Sequence, residues 1–330
     1  MKTSTLKLSG WLLLLVITLV ASGCEPKRIR NTLDLPGVQS ITGLYDKTLT
    51  QPNWHPTEKR LLAVDPGGSA HGPAGGVYTI EILTGQIESV AHTSPAVSVY
   101  DPTWSASGKE IAYHYSGPDQ PAAGIYLLDL TTGKSHNIAT WANNAALSPA
   151  GNQIALWGPV DWQAKEPIWK ISVLDLSTLR EQVVYEVKAK YIDLKGLSWS
   201  RDGRKIAFSI PTATSSSTSR AWYNIYTIEP DGGNLQQVTS GTNADAIAPT
   251  WSPNGQSIAY TQGSEFRQAF LWVANTDGSC AVQLLDSVGV NSPAWSPDGK
   301  FIVFEYDWGL YSLDLQSDAI AQRLNNLHCK

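Results

Sequence analysis

The sequence predicts an all-β protein, a six-bladed β-propeller with four antiparallel strands in each blade. Three observations lead to this prediction: a unit that occurs six times, turn residues at fixed places in the unit, and a β-rich run after each turn. Neighbouring units begin 43 to 52 residues apart, and self-similarity at roughly 40–50 residues is typical of propellers and solenoids. The units begin with QPNW at Gln51, DPTW at Asp101, NAAL at Asn144, GLSW at Gly196, APTW at Ala248 and SPAW at Ser292.

Each unit opens with a short first strand that ends at an anchor residue, and a tight turn follows. In the last unit the turn reads Ser-Pro-Asp-Gly from Ser296, where Pro presets φ, Asp accepts local backbone hydrogen bonds and Gly adopts φ > 0. The β-rich run after it, at 301–304, is predicted to be a buried second strand. The anchors are Trp54, Trp104, Leu147, Trp199, Trp251 and Trp295.

A second repeated block in each unit predicts a third strand followed by a turn. A short fourth strand comes next, for example at 236–239 and 282–285. Four antiparallel strands per repeat make a propeller blade, and no later stretch shows the sustained 3.6-residue period of a long helix. The third-strand blocks begin at Val77, Ile125, Ile171, Ile225, Leu271 and Leu310.

These units resemble those of the TolB-type β-propeller family, whose repeat reads W-S-P-D-G-x-x-I-A-F. The copies at Trp251 and Trp295 are close to that pattern, whereas Leu147 replaces the Trp of one copy and His55 the Ser of another. The resemblance covers about residues 46–330, which we assign to the propeller. It implies little about the ligand, because similar propellers serve as periplasmic scaffolds, as ligand binders and as appendages of peptidases.

Residues 1–23 are predicted to be a signal peptide of the lipoprotein type. Lys2 and Lys7 precede an apolar run at 11–20, and three small residues come directly before Cys24. A basic region, a short apolar core and small residues make up a secretory signal, and small residues before a Cys resemble a bacterial lipobox. We therefore expect a lipid anchor on Cys24 and export to the periplasm or cell surface. An ordinary signal peptide cleaved nearby is the alternative.

Residues 24–45 are predicted to be a linker that also covers the ring of blades. Lys27, Arg28 and Arg30 suit either contact with anionic headgroups or plain solvation. The partly apolar stretch 33–45 is expected to add a strand or to cover one end of the ring, since a propeller has to close on itself. We expect a single propeller with no hydrolase domain.

The charge balance argues against nucleic acid as a partner. Without residues 1–23 the chain has 22 basic and 29 acidic side chains, and phosphate binding requires clustered positive charge. The sequence contains no G-x-S-x-G nucleophile elbow, no phosphate-binding Gly loop and no pair of histidines at metal-binding spacing. We therefore expect no cofactor and no metal, and the sequence favours a binding protein over an enzyme.

Cys280 and Cys329 are candidates for a disulfide bond. With Cys24 acylated they form an even pair in a compartment that permits disulfides. Against this pairing, Cys280 begins a fourth strand at one face of the propeller, whereas Cys329 is expected beyond the last fourth strand. That position is near the other face unless the tail folds back, so the sequence leaves the pairing open.

Ligands are expected on one particular face of the propeller. The turns between strands one and two, and between three and four, share a face that we call the tight-turn face. The opposite face, called the loop face, carries the connections between strands two and three and between blades, such as 65–76 and 211–223. Loops on a rigid scaffold are where functional residues usually lie.

Eight aromatic residues are predicted to form a binding surface on the loop face, because exposed Trp and Tyr give large contact areas at a small entropic cost. The alternative is that they fill blade interfaces and loop bases. A cell-envelope protein is the first expected partner, and a glycan or a peptide is the second. The eight residues are Trp141, Trp157, Trp162, Trp222, Trp308, Tyr100, Tyr191 and Tyr223.

Two other classes of function stay open. One is a lyase or hydrolase whose residues converge from several blades at the mouth of the channel. A bound metal, or acidic groups about 5–10 Å apart as in glycosidases, would favour this class, and their absence would favour binding. The other is a purely structural envelope protein, which would have no concave aromatic pocket. The catalytic candidates are His71, His92, Asp101, Asp161, Glu166 and Asp245.

Overall fold

In the computed structural model, the six units form six blades around a central channel. Each blade is a four-stranded antiparallel sheet, which confirms the predicted fold class and the number of blades. The residues that the structure describes are 35–42, 49–65, 75–92, 98–117, 123–160, 165, 168–188, 196–211, 222–241, 243–264, 269–286, 289–307 and 309–327.

The first strand of the chain, β1 (Val38–Ser40), belongs to the last blade, and blades 1 to 3 then follow in chain order. Blade 1 contains β2 (Thr50–Trp54), β3 (Arg60–Asp65), β4 (Gly76–Glu81) and β5 (Ile87–His92). Blade 2 contains β6 (Ser98–Trp104), β7 (Glu110–Ser116), β8 (Gly124–Asp129) and β9 (Lys134–Thr140). Blade 3 contains β10 (Asn144–Leu147), β11 (Gln153–Pro159), β12 (Ile168–Asp175) and β13 (Glu181–Lys188).

Blades 4 to 6 complete the ring. Blade 4 contains β14 (Leu197–Trp199), β15 (Ile206–Pro211), β16 (Tyr223–Ile228) and β17 (Gln236–Gln237). Blade 5 contains β18 (Asp245–Trp251), β19 (Ser257–Gly263), β20 (Ala269–Asn275) and β21 (Ala281–Gln283). Blade 6 contains β22 (Val290–Trp295), β23 (Phe301–Tyr306), β24 (Gly309–Asp314) and, at its outer edge, β1.

The tight turn after each first strand is held by its own side chains. In blade 6, Ser296 Oγ donates a hydrogen bond to Asp298 Oδ1 at 2.6 Å and accepts one from the backbone N–H of Phe301 at 2.9 Å. Gly299 adopts φ = 72°, a left-handed conformation that glycine tolerates best. Blades 4 and 5 repeat both hydrogen bonds. The Ser-Pro-Asp-Gly signature therefore encodes a hairpin.

Three of the five anchor tryptophans join neighbouring blades by hydrogen bonds. Trp199 in blade 4 donates a hydrogen bond from Nε1 to the carbonyl of Ala146 in blade 3 at 2.8 Å, and a similar bond joins blades 5 and 4. Trp54 in blade 1 donates to the carbonyl of Ala294 in blade 6 at 3.1 Å. This last bond crosses the junction at which the ring closes.

His55 gives the first blade a different lock. Its Nδ1 accepts hydrogen bonds from the backbone N–H groups of Thr57 and Glu58 at 3.3 and 2.9 Å. Its ring packs edge-on against Trp104 of blade 2, with centroids 4.6 Å apart, and lies directly against Gly108. Burial lowers the pKa of the imidazole, which keeps Nδ1 available as an acceptor. A side chain that departs from the repeat thus ties two blades together.

The ring is closed by a strand from the beginning of the chain. β1 pairs with β24, so both ends of the chain contribute to blade 6. Next to β1, the N–H of Ile41 donates to the carbonyl of Leu310 at 2.9 Å, and the N–H of Leu310 donates to Thr42 Oγ1 at 3.1 Å. Of the two roles expected for the stretch 33–45, the structure shows the first.

The end of the chain does not form the fourth strand that we expected for the last unit. Instead α1 (Asp318–Asn325) folds against blade 5, because β1 already occupies the outer edge of blade 6. Ile320 packs in the same buried cluster as Leu284, and Arg323 Nη1 contacts Asp286 Oδ1 at 2.9 Å. Among the described residues, no helix has the length and hydropathy needed to cross a membrane.

The buried core lies mainly between adjacent blades. Trp157 and Ile171 of blade 3 share a cluster with Phe208 of blade 4. Another cluster joins Val303 of blade 6 to Leu61 of blade 1. Burial of apolar surface between sheets therefore stabilises each blade through its neighbours, across the closing junction as elsewhere.

Candidate functional site

The first strands of the six blades enclose a channel with a cavity of about 950 Å³. The residue three positions before each anchor lines it, and these six residues form two different halves. Blades 1 to 3 contribute a polar half, and blades 4 to 6 a half of small residues. In chain order the six are Gln51, Asp101, Asn144, Gly196, Ala248 and Ser292.

The backbone is unusual at these same positions. Asp101, Ala248 and Ser292 have φ values of 51°, 53° and 46°, in the left-handed region that residues other than glycine seldom adopt. The pairing register of the first strand also shifts there, which marks a β-bulge. Bulges bend a strand and change the direction of its side chains, so they shape the wall of the channel.

Hydrogen bonds hold the polar half in place across three blades. Gln51 Nε2 donates to Asp101 Oδ1 at 3.1 Å, and Gln51 Oε1 accepts the backbone N–H of Asp101 at 2.8 Å. Asn144 Nδ2 donates to the other carboxylate oxygen, Asp101 Oδ2, at 2.8 Å. Both oxygens of Asp101 thus accept an amide hydrogen, and the carboxylate is held in one orientation.

Glu305 adds a buried carboxyl group next to this polar half of the channel wall. It lies opposite Asn291 in the pairing of β22 with β23 and is only 7% exposed. Burial raises the pKa of Glu305 to about 7, and a hydrogen bond from the backbone N–H of Gln51 opposes this shift. The group therefore changes its charge near neutral pH, at the junction of blades 6 and 1.

Two aromatic features lie at the loop-face end of blades 2 and 3, and together we call them the aromatic rim. One is the pair of Tyr100 and His114, and the other is Trp141, which lines a separate small pocket with Pro159 and Trp169. Tyr100 and His114 both line the channel and stack with their centroids 6.1 Å apart. Burial lowers the pKa of His114 to about 4, so its imidazole is neutral at neutral pH. Trp141 is 54% exposed, in the connection that leads to Asn143 on the channel wall.

The tight-turn end of the channel carries the cationic side chain of Arg201. Arg201 stands where most other turns have Pro after the first residue, and its side chain lines the channel. Arg201 Nη1 donates to the carbonyl of Pro297 at 3.1 Å, which links blade 4 to blade 6. A cation that spans two non-adjacent blades partly covers this end.

The structure divides the eight predicted aromatic residues. The prediction for Trp157 is wrong. This residue is fully buried and stacks on Trp169 with centroids 5.7 Å apart, so it belongs to the core and not to a surface. Tyr100 and Trp141 are exposed, and Trp222 and Tyr223 are half-buried in blade 4. The remaining three lie outside the described residues and are Trp162, Tyr191 and Trp308.

The catalytic candidates do not come together in the described part of the chain. Asp101 and Asp245 lie on blades 2 and 5, which face each other across the ring, and Asp245 accepts the backbone N–H of Tyr223 at 3.0 Å. Within the described ranges, no three His, Cys, Asp or Glu side chains are placed to hold a metal ion. Outside the described residues lie His71, Asp161, Glu166 and the side chain of His92.

Cys280 forms a disulfide bond. Cys24 and Cys329 lie outside the described residues, so the pairing of Cys280 with Cys329 and the acylation of Cys24 stay predictions. The end of the described chain does return to Cys280: the carbonyl of Asn326 lies 3.5 Å from its Sγ. Of the two positions that the sequence left open for the tail, its described residues show the one that folds back on the tight-turn side.

The sequence did not indicate three channel residues, Gln51, Asn144 and His114, or the buried Glu305 next to them. For Gln51 and Asn144 the signal was present in the repeat itself. The position three before the anchor falls at the same depth of each first strand, so one column of the aligned units contains much of the channel wall. The predicted binding surface lay on the loops instead, because exposed aromatic residues are the stronger signal of binding.

Comparisons with known proteins agree on the fold. Residues 72–316 match the model of the TolB beta propeller domain. The Tol-Pal system protein TolB of Francisella tularensis subsp. mediasiatica is 26% identical over 256 residues, or 76% of this chain and 55% of that protein. The chain thus spans about half the length of the curated relatives it matches.

Two solved structures show the same architecture. TolB from Acinetobacter baumannii superposes with a TM-score of 0.58 at 20% identity, covering 78% of this chain and 64% of that one. Oligogalacturonate lyase from Vibrio parahaemolyticus gives 0.54 at 14% identity, covering 86% of this chain and 94% of that one. At such identities the similarity concerns the fold alone. The domain match covers more than half of the sequence, and the chain belongs to the TolB β-propeller family.

Proposed function

We propose that this chain is a non-enzymatic binding scaffold of the bacterial cell envelope, exported and anchored by a lipid on Cys24. In this proposal a partner protein binds the loop-face mouth of the channel. The observation that carries it is the aromatic rim, which presents Tyr100 on the wall of an open channel of about 950 Å³ and the more exposed Trp141 in a neighbouring pocket.

The rim has the properties of a protein-binding surface. Aromatic side chains supply most of the binding energy at many interfaces, because they bury a large area and lose little entropy. Here Tyr100 stacks on His114, whose imidazole is neutral, so the pair presents apolar surface without a charge to desolvate. The polar half around Asp101 offers hydrogen-bonding groups deeper in the channel. These groups suit the recognition of a protruding segment of the partner.

The family membership supports the same proposal. Its relatives include proteins named Tol-Pal system protein TolB, and membership of a system suits a protein that binds other proteins. The lipoprotein-type signal at 1–23 supports a location in the envelope, at the periplasm or the cell surface. The fixed hydrogen bonds of Asp101 favour a structural and binding role for this carboxylate over proton transfer.

Affinity capture from the solubilised envelope of the source cell tests the proposal. The double variant Tyr100→Ala/Trp141→Ala is compared with the wild type after a circular dichroism check of its fold. We expect a specific protein on the wild type and a loss of its binding by on the order of tenfold or more in the variant. Binding of the purified partner to the purified wild type then confirms the pair.

Val183→Ala is the matched control, because Val183 is exposed on the outer strand of blade 3, away from the channel. If the double variant binds the partner as well as the Val183→Ala control does, the aromatic rim is not part of the interface. Intact-mass analysis of the mature protein tests the anchor separately: an unmodified Cys24, or a mature chain that begins elsewhere, would contradict it.

A further inference from the structure

Three exposed leucines occupy the same turn in three blades. Leu83, Leu179 and Leu235 each lie in the connection from the third to the fourth strand, in blades 1, 3 and 4, and are 73%, 65% and 49% exposed. In blades 1 to 5 this connection is on the tight-turn face. One exposed leucine is ordinary for a protein surface, but here three lie, at different positions, in the same connection of three blades and therefore on one face.

Leu179 adopts a backbone conformation that is unfavourable for leucine. Its N–H donates to the carbonyl of Asp175, four residues earlier, and its φ is 55°. The equivalent turns of blades 1 and 2 have glycine there, Gly85 and Gly133, with φ of 69° and 67°. A leucine in this left-handed conformation is strained by its Cβ and, being exposed, gains little from packing. Such a residue indicates a role outside the fold.

The chain before β1 leaves the propeller on the same face. β1 runs antiparallel to β24, with Val38 opposite Leu313, and the N–H of Asp314 donates to the carbonyl of Gly37 at 2.8 Å. Gly37 is therefore at the end of a third strand, beside the turns of the tight-turn face. Cys24 precedes Gly37 by 13 residues, which span at most about 45 Å when fully extended.

We propose that the tight-turn face lies against a phospholipid bilayer, with Leu83, Leu179 and Leu235 inserted at the boundary of headgroups and acyl chains. This inference rests on the proposed lipid anchor, which keeps the face within a short tether of the membrane. Blades 1 and 4 lie on opposite sides of the ring and blade 3 is next to blade 4, so the three turns extend across the width of this face. The loop face then points away from the membrane, towards the partner.

A bilayer fits these leucines better than a protein does. Protein interfaces concentrate their apolar contacts in one contiguous patch, whereas these leucines lie on separate blades. A fluid surface accepts separate apolar side chains, and each inserted side chain adds to the hold of the acyl chains. Lys27, Arg28 and Arg30 in the tether favour anionic headgroups, which such basic clusters attract.

Hydrogen exchange on the acylated full-length mature protein tests this orientation. The protein is reconstituted into vesicles of phosphatidylcholine with phosphatidylglycerol and compared with the variant Leu83→Ser/Leu179→Gly/Leu235→Ser in the same vesicles. We expect amides at 82–86, 176–180 and 231–235 to exchange more slowly in the wild type by on the order of tenfold, the ratio that about 1.4 kcal/mol of contact gives. Amides at the loop-face ends of the strands should exchange equally in both.

The controls keep the possible failures apart. Val160→Ser, on the loop face and half exposed, should behave as the wild type. The single variant Leu179→Gly should be at least as stable as the wild type to urea, so that lost protection does not reflect unfolding. Protein that does not float with the vesicles would overturn the anchor. Protein that floats with its turns unprotected, or with the loop face protected instead, would overturn the orientation alone.

Discussion

At the scale of single residues, Glu305 couples the stability of the protein to pH. Its pKa is about 7 in the folded protein, against an ordinary value of 4.5. As the pH rises through this window, the unfolded chain releases the proton before the folded chain does. The wild type therefore loses up to about 3 kcal/mol of unfolding free energy between pH 4.5 and 7.

Glu305→Gln should abolish this loss, because glutamine has no proton to release. Relative to the wild type, the variant should become more stable by about 2–3 kcal/mol as the pH rises through the window. Urea unfolding at both ends of the window measures the change. Glu186→Gln on the exposed edge of blade 3 is the control. A difference that does not vary with pH would mean that Glu305 titrates like an exposed carboxyl.

The lock between His55 and Gly108 can be isolated with a pair of glycine substitutions. A Cβ at Gly108 would lie 2.0 Å from His55 Nε2, whereas a Cβ at Gly203, in the equivalent turn of blade 4, meets nothing within 4 Å. Both glycines have a left-handed φ, of 67° and 72°. Alanine therefore adds the same backbone strain at both, about 1 kcal/mol, and adds a clash only at Gly108.

We expect Gly108→Ala to lower the free energy of unfolding by about 1–3 kcal/mol more than Gly203→Ala does. Chemical denaturation of the two variants side by side gives the difference. Equal losses would show that His55 moves aside without cost, and that the contact between blades 1 and 2 is not a lock.

Residue environments were only partly predictable from the sequence. The anchor tryptophans were assigned correctly because the repeat places each of them at the end of a first strand. Trp157 and Trp141 look alike in sequence, yet one is buried under a neighbouring blade and the other is exposed. That distinction depends on which blade packs over a strand end, and a pattern local to one unit does not contain it.

At the scale of elements, β1 is a strand of three residues that closes the ring, so its flanking contacts carry much of the closure. Thr42→Val leaves the buried N–H of Leu310 without its acceptor. Thr227→Val is a matched control, because Thr227 is equally buried and its Oγ1 has no hydrogen-bond partner among the described residues.

We expect Thr42→Val to cost about 1–3 kcal/mol, and Thr227→Val to be neutral or stabilising, since it removes a buried hydroxyl that forms no bond. Calorimetry or urea titration of both variants tests the pair. If Thr42→Val proved as harmless as its control, β1 would contribute little to closure.

The elements themselves were predictable wherever the repeat was present. Strands two and three of each blade follow directly from the β-rich runs and the turn residues. The two exceptions lie at the ends of the chain. β1 is too short to show a pattern, and α1 has only eight residues, which is below the length at which helical periodicity becomes distinctive. Both depend on contacts between residues far apart in sequence.

At the scale of the whole molecule, the closed ring should unfold as one unit. Each blade packs on its neighbours, and a buried apolar cluster lies at each junction, including the one between blades 6 and 1. Far-ultraviolet circular dichroism and tryptophan fluorescence should therefore report coincident transitions. Thr42→Val should shift both to the same extent. Transitions that separate in the wild type would show that blades melt individually.

The pairing of β1 with β24 also determines when the ring can close during the formation of the protein. Thr42 is among the first residues of the propeller to be synthesised, and its partner Leu310 follows 268 residues later. Until then the nascent protein is an open arc with a bare strand edge, a form that other chains can pair with. The ring therefore cannot close until almost the whole chain is available to fold, and a truncation that removes only the last blade leaves β1 without its neighbour.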